Sequence, residues 1–312
     1  MKERCEQAGV SATVIVTQTS GDLPAAVAAL RQSGVDALLV CGGDGTLLAT
    51  VDAAIAVYGA ELPALLVLPG GTMNTVARNL GVRGKPEAVL DRLLSSWRAG
   101  GQKGLGEVPR RPQEVMRVVT KGEQSDRPAP AGSKDATSCT RYGCIFSAAM
   151  GARYLTAYAR HPSLAWAAWL GLRTVGSSLI PSGGAFARWL FERTPAELSI
   201  DGERASETAF RLVICATVPD VGLGMRVPWQ AGSVAGRFAL IASSLPILQN
   251  VLQIGRMQRG EPLRGEPHID RLAQAVSLRF PSPQPLTLDG ELFSARGVDL
   301  SLGPSLQFLI PT

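Results

Sequence analysis

VDALLVCGGDGTLLATVDAA, residues 35–54, is the stretch on which the fold turns: an apolar run ends in two glycines, an aspartate and a third glycine, and a helical pattern follows. DALLV (36–40) is continuously apolar, which predicts a parallel strand buried on both faces, while TLLATVDAAIAVY (46–58) has the spacing of a helix. Glycines flanking one carboxylate at that junction have two readings. Asp44 is either an N-cap in a tight turn or part of an anion-binding loop.

Working outward, the same rhythm repeats. ATVIVT (12–17) reads as a strand, and LPAAVAALRQS (23–33) as a helix with Asp22 near its N-cap and Pro24 in its first turn. ALLVLP (64–69) is the next strand, with helices expected from Thr72 to Leu80 and from Pro86 to Trp97. Alternating strands and helices predict a doubly wound, mostly parallel α/β domain. Beyond residue 100 the character changes. GGQKGLGEVPRRPQE and KGEQSDRPAPAGSKDATS read as long loops. RYGCIFSAAM, AELSID, AFRLVICATV, GRFALIAS, AVSLRF, LTLDGELF and SLQFLIP then predict a β-rich second domain with a helical insertion around 152–192.

Composition narrows the classes. A chain of 312 residues that is 46% hydrophobic and 18% charged holds two compact domains. The net charge of +5 is scattered, which suits phosphorylated ligands or anionic membrane surfaces and argues against nucleic acid as a partner. The five cysteines are widely spaced and fit a reducing cytoplasm, and His161 and His268 lack the neighbours a zinc site needs. No segment reaches the length of a membrane span, although PSLAWAAWLGL (162–172) can lie on a bilayer. A homo-oligomer is left open.

The loop Gly42-Gly43-Asp44-Gly45-Thr46 stands at a strand's carboxyl end, where ligands of open α/β sheets bind, and a helix N-terminus there offers unpaired N–H groups. Glycine lets backbone approach phosphate and adopts positive φ where needed, and Thr46 can cap the helix or bond an oxygen. A lone carboxylate repels phosphate, so Asp44 is expected to hold Mg²⁺ or its water shell, or to orient a ribose or phosphate through a backbone partner. ALLVLPGGTMNTVARNLGV (64–82) repeats the arrangement with Gly70-Gly71, then Thr72 and Asn74 opening a helix. Two such loops in consecutive units make a wall able to cradle several phosphates.

Neither loop is a Walker A or a G-x-G-x-x-G. GGDGT followed in the next unit by PGGTMN resembles the diacylglycerol kinase-like lipid kinases, which include sphingosine, ceramide and bacterial lipid kinases. VTQTSGD (16–22), FSAAMGARY (146–154), LTLDGELF (286–293) and GPSLQFLIP (303–311) resemble further segments of that family. The resemblance implies ATP as co-substrate and Mg²⁺ as cofactor, with Thr17, Gly42, Gly43, Asp44, Gly45, Thr46, Gly70, Gly71, Thr72 and Asn74 at the nucleotide and Asp44 at the metal. It also implies a nucleotide-binding domain over 1–104, with 304–312 returning to it, and a sandwich-like, β-rich lipid-acceptor domain over 105–303, the site lying in the cleft between them.

Phosphoryl transfer to an alcohol needs a carboxylate to orient the hydroxyl and take its proton. Asp289 and Glu291 alternate along an expected strand and so share a face. By resemblance Glu291 is the general base and Asp289 assists. The bland alternative is a D-G turn with solvated acids, and SIDGERAS (199–206), which also contains DGE, is read as such a hairpin.

The sequence departs from the family in three places. It starts beyond the strand and N-P-x-x-G loop that usually come first, apparently at the following helix. Ala49 and Thr75 stand where relatives often carry Glu and Asp, and Ala231 to Ala235 replace acids of a structural Mg²⁺ site. The leading reading is an ATP-dependent kinase of a diacylglycerol-like lipid at a membrane surface. Trp166, Trp169 and Trp189, with Arg173 and Arg188, can seat a peripheral protein on anionic lipid, or the segment is an ordinary core helix. The alternatives are an NAD kinase-like enzyme and a nucleotide-binding pseudokinase.

Overall fold

A computed structural model of the chain describes residues 1–59, 61–100, 105–123, 138–180 and 184–311. The chain divides into two compact units, Met1–Glu114 with Pro304–Thr312, and Val115–Gly303. An α/β unit thus precedes a β-rich one.

In the first unit the order is α1 (Lys2–Gln7), α2 (Leu23–Gln32), β1 (Ala37–Gly42), α3 (Asp44–Tyr58), β2 (Ala64–Pro69), α4 (Thr75–Asn79) and α5 (Pro86–Ala99). β1 and β2 are parallel in strict register from Ala37↔Ala64 to Gly42↔Pro69, and Phe308 near the chain's end pairs with Leu65, also in parallel. β2 lies between two neighbours, and Ala64 through Leu68 are all buried, as a central parallel strand demands.

Four local expectations need correction. DALLV is not buried on both faces: Leu38 and Val40 are buried, while Leu39 is 40% exposed and Cys41 is exposed, so the alternation shows one face of β1 covered and the other left open. ATVIVT forms no ladder. Its β-branched residues satisfy local propensity, but a strand needs a hydrogen-bonding neighbour, and Val14, Ile15 and Val16 stay exposed. The helix expected from Thr72 begins at Thr75, since Asn74 takes the left-handed conformation that no helix interior accepts. Arg110–Lys121, placed in part within a loop, is a strand whose period-two burial was hidden by Pro112 and paired arginines. The second long loop, 121–138, falls for the most part outside the described residues.

β3 (Arg110–Lys121), which enters the second unit at Val115, leads to β4 (Thr140–Gly143), β5 (Ile145–Ala149), α6 (Met150–Tyr158), α7 (Leu164–Ser178) and α8 (Ala185–Leu190). Then come β6 (Thr194–Pro195), β7 (Glu197–Ile200), β8 (Glu203–Arg204), β9 (Ala209–Phe210), β10 (Leu212–Ala216) and β11 (Phe238–Ser243). α9 (Ile247–Leu252), α10 (Ile254–Arg259), β12 (His268–Ala273), β13 (Ala275–Leu288) and β14 (Glu291–Leu309) complete it, the last strand carrying the chain out of the unit after Gly303. The antiparallel run β13-β5-β10-β11-β12 forms the main layer. β13 changes partner along its length: residues 276–279 pair with β7, and residues 286–288 pair with β5 beyond an irregularity between Arg279 and Gln284. The helical insertion has a core of its own, in which Ala187, Leu190, Phe191 and Val251 pack with Met150, Tyr154, Val175 and Phe186.

Candidate functional site

Gly43, Gly70 and Gly71 are required by the facing loop, whereas a Cβ on Gly42 would meet the Thr46 side chain of its own loop at 2.6 Å. A Cβ on Gly71 would stand 2.5 Å from the Gly43 Cα, and one on Gly70 would stand 3.3 Å from the Gly42 Cα. The Gly70 N–H donates to the Gly42 carbonyl at 2.9 Å, continuing the parallel ladder past its last paired residues. None of these four glycines has positive φ, and Gly43 is extended at φ −88 and ψ −174. Close backbone approach at Gly43, Gly70 and Gly71, and the Thr46 side chain at Gly42, rather than a left-handed turn, therefore exclude side chains here.

Asp44 is the first helical residue of α3, but its carboxylate serves the next unit. Its oxygens accept from the backbone N–H groups of Thr75 at 2.9 Å and Val76 at 3.1 Å. These are early amides of α4, which lack intrahelical acceptors, so a carboxylate satisfies them and meets the positive end of the helix. Asn74 closes the second loop on itself: its Oδ1 accepts from the Gly71 N–H at 2.9 Å, and its Nδ2 donates to the Gly71 carbonyl at 2.6 Å. Asparagine's tolerance of φ +46 makes that clamp accessible. The structure thus joins Gly42, Gly43, Asp44, Gly70, Gly71 and Asn74 in one rigid double loop. Thr75, at the position where family members often carry Asp, contributes its buried amide.

Around this frame lie the amides that open α3, those of Asp44, Gly45 and Thr46, ahead of the first helical bond from Leu47 N–H to Gly43 O. The Thr46 and Thr72 side chains are exposed. A phosphate presented to this surface meets helix amides and hydroxyls, the donors that anion sites use. Thr17 is half-buried three residues before the 3₁₀ turn Ser20–Asp22. There Asp22 accepts from the backbone of Thr19 at 2.7 Å and fixes the entry to α2. Among the described residues no group of three or more His, Cys, Asp or Glu forms a metal cluster. One carboxylate fits Mg²⁺ only where nucleotide phosphates and water supply most ligands, which is the usual manner of that ion.

The DGE segment is not a strand with two acids on one face. Asp289 and Gly290 are a two-residue hairpin turn between β13 and β14, with φ +46 and +90, and Leu288 pairs with Glu291. Alternation fails because both central residues of such a turn take positive φ. Asp289 folds back on β5: its oxygens accept from the Cys144 N–H at 2.8 Å and the Ile145 N–H at 2.7 Å, while its own N–H donates to the Ile145 carbonyl. Asp289 is therefore a positioning residue that pins the hairpin. Glu291 stands half-buried at the start of β14, opposite Leu288 across the turn.

The second DGE repeats this construction. Asp201 and Gly202 form the β7–β8 turn at φ +52 and +90, and the Asp201 Oδ1 accepts from Gln274 at 2.8 Å and Ala275 at 2.9 Å. Burial works against its charge, yet the amides of Ala275 and Gln274, with Arg271, hold that carboxyl below the ordinary aspartate range. The reading of SIDGERAS as a hairpin is met. Local geometry alone does not set residue 289 apart from residue 201.

Comparison with known proteins bears on both units. Residues 1–100 match the family model described as diacylglycerol kinase catalytic domain. A Citrobacter koseri protein described as "Probable lipid kinase YegS-like" is 41% identical over 92 residues, which is 30% of this chain and 29% of that protein. The Shigella flexneri protein described as "Probable lipid kinase YegS" is 39% identical over the same length. The chain thus covers less than a third of the length of these relatives. A crystal structure described as a diacylglycerol kinase from Bacillus anthracis strain Sterne superposes with a TM-score of 0.58 at 15% identity, covering 95% of this chain and 83% of that one. At that identity the likeness speaks for the fold.

Proposed function

We propose that this chain, whose residues 1–100 match the family model described as diacylglycerol kinase catalytic domain, is an ATP-dependent lipid kinase that moves the γ-phosphoryl group to a hydroxyl of a diacylglycerol-like lipid. The observation that carries the reading is the double loop, in which two glycine segments, Asp44 and Asn74 are held together by their own backbone and side-chain contacts. Phosphoryl transfer depends chiefly on positioning and electrostatic stabilisation, so a wall of amides and hydroxyls is the part this fold has to supply. Mg²⁺ bound with the nucleotide would neutralise charge on the phosphates. Thr46 and Thr72 orient phosphate oxygens, Glu291 takes the proton of the acceptor hydroxyl, and Asp289 holds the hairpin that carries Glu291.

The test is the full chain with ATP, Mg²⁺ and mixed lipids. The expected outcome is a phosphorylated lipid, with Glu291→Gln lowering kcat by at least about a hundredfold and leaving nucleotide affinity in place. No lipid product beside an active control kinase would overturn the reading. Phosphorylation of NAD instead of lipid would replace it with the NAD kinase-like alternative. A nucleotide-binding pseudokinase is favoured by one observation, that Asp44 and Asp289 both spend carboxylate oxygens on backbone amides. Calorimetry showing ATP binding without turnover would support that second reading.

A further inference from the structure

Helix α7 is apolar on the face it turns to solvent. Its exposed positions, Ala165, Ala168, Trp169, Leu172, Arg173 and Gly176, continue into Leu179 and Ile180 just past its end, all three or four residues apart or adjacent. They form one helical stripe. Leu172 is 72% exposed, Leu179 61% and Ile180 54%, while Ala167, Leu170 and Ser178 fill the interior side. A surface helix of a globular protein shows polar residues on its outer face; one that is apolar all round contacts something other than water.

The stripe continues laterally through ring contacts. The Trp166 and Trp169 rings stack with centroids 4.6 Å apart, the Arg173 guanidinium lies 5.2 Å from the Trp169 ring and 4.2 Å from Phe186, and Phe186 meets Trp189 at 5.7 Å. Trp189 on α8 is exposed, and α9, packed against α7, exposes Leu248 and Leu252 one turn apart. The ordinary core helix weighed for this segment accounts for its inner side alone.

Charge selects the occupant. From Met150 to Phe191 the sequence carries four arginines and no aspartate or glutamate; Arg153 is turned inward to Glu192 and Thr194, whereas Arg160, Arg173 and Arg188 are exposed, and it is these three that give the face its charge. Two copies meeting face to face would set these arginines against their own images, since a two-fold contact places the same patch on both sides. An anionic bilayer complements the arginines, takes up the leucines and seats tryptophan at its headgroup boundary.

We propose that the α7–α8 face is a docking surface for anionic lipid bilayers, with the Trp169–Leu172–Leu179–Ile180 stripe entering the headgroup boundary and Arg173 and Arg188 meeting lipid phosphates. This deepens the kinase reading by naming the phase that holds the acceptor, and its test needs neither nucleotide nor turnover. The full chain is pelleted with phosphatidylcholine vesicles with and without phosphatidylglycerol. Binding is expected with the anionic vesicles, weakened by salt, and reduced at least roughly tenfold in the double variant Leu172→Glu, Leu179→Glu and several-fold in Arg173→Gln. Val16→Glu, an exposed apolar change in the other unit, is expected to leave binding unchanged. Variants are compared at equal thermal stability. The proposal is overturned if wild type ignores anionic vesicles, if the stripe variants bind as wild type does, or if they only convert a dimer to monomer. A protein that docks without phosphorylating lipid keeps this surface and loses the kinase reading; one that phosphorylates without docking does the reverse.

Discussion

Replacing Gly71 by alanine is the sharpest perturbation of the double loop. The added Cβ would lie 2.5 Å from the Gly43 Cα, 3.3 Å from the Gly43 nitrogen and 3.1 Å from the Asn74 Oδ1. Carbon atoms rest at about 3.5–4 Å, so roughly 1 Å of separation must come from backbone that belongs to the end of a two-strand ladder. That movement stretches the Gly70 N–H to Gly42 carbonyl bond and disturbs the Asn74 clamp. Overpacking of this kind costs about 1–3 kcal/mol, and a weakened hydrogen bond about 1 more, giving an expected loss of about 2–4 kcal/mol. Gly70→Ala meets its nearest neighbour at 3.3 Å and Gly43→Ala at 3.2 Å, so each needs a few tenths of an ångström and is expected to cost about 1 kcal/mol or less. Urea unfolding of the three variants gives the ranking, and hydrogen exchange over residues 37–42 and 64–69 localises it. A Gly71→Ala protein within about 0.5 kcal/mol of wild type would refute the packing account. If that stable protein also failed to bind ATP, the glycine would serve ligand approach instead.

Three further outcomes are expected. Burial pushes the Asp299 carboxyl up, but hydrogen bonds from Lys121, Ser277 and Arg279 outweigh it and hold the group at about 2 instead of 3.8, so stability is lost as pH falls from 3.8 through about 2. After allowance for solvent screening this amounts to about 1 kcal/mol, and Asp299→Asn should flatten the acid limb of the unfolding profile. Desolvation lowers the pKa of His268 against the pull of Asp270 and Glu266, and neither ring nitrogen has a hydrogen-bond partner among the described residues; stability should therefore fall as pH drops below 6.5, and His268→Gln should remove that slope. Ala149, buried at φ +58 and ψ −119 where β5 enters α6, occupies backbone space that suits glycine, so Ala149→Gly should raise stability by about 1 kcal/mol, read as a higher urea midpoint.

The βα rhythm was legible because apolar periodicity is written locally: β2, α3 and α5 stand within a few residues of where the sequence placed them. Pairing is not written locally. Residues 12–17 and 110–121 show both errors, the first a strand-like run with no neighbour and the second a strand masked by Pro112. In the site, the glycine doublets identified the loops, but the reason for them is a contact between residues 43 and 71 that no single stretch encodes. Asn74 carried a usable signal, since asparagine after a glycine pair suits a left-handed turn with its side chain returned to the backbone. The two D-G-E segments mark the limit, because the same turn and the same carboxylate-to-amide bonds occur at Asp201 and Asp289.

A carboxylate between glycines beside expected phosphates calls for a partner, and the geometry supplies backbone amides. Each Asp44 oxygen already accepts an amide from the start of α4, so part of its charge is answered by that helix before any cation binds. An ionised oxygen retains a further lone-pair direction, which leaves room for a metal-bound water without making the metal necessary for the fold. Asp44→Asn would keep one acceptor oxygen and lose the charge, weakening the bond between the loops even where nucleotide is absent. Loss of activity in such a variant is therefore evidence about metal binding only when loop order, read by exchange of the Thr75 and Val76 amides, is shown to persist.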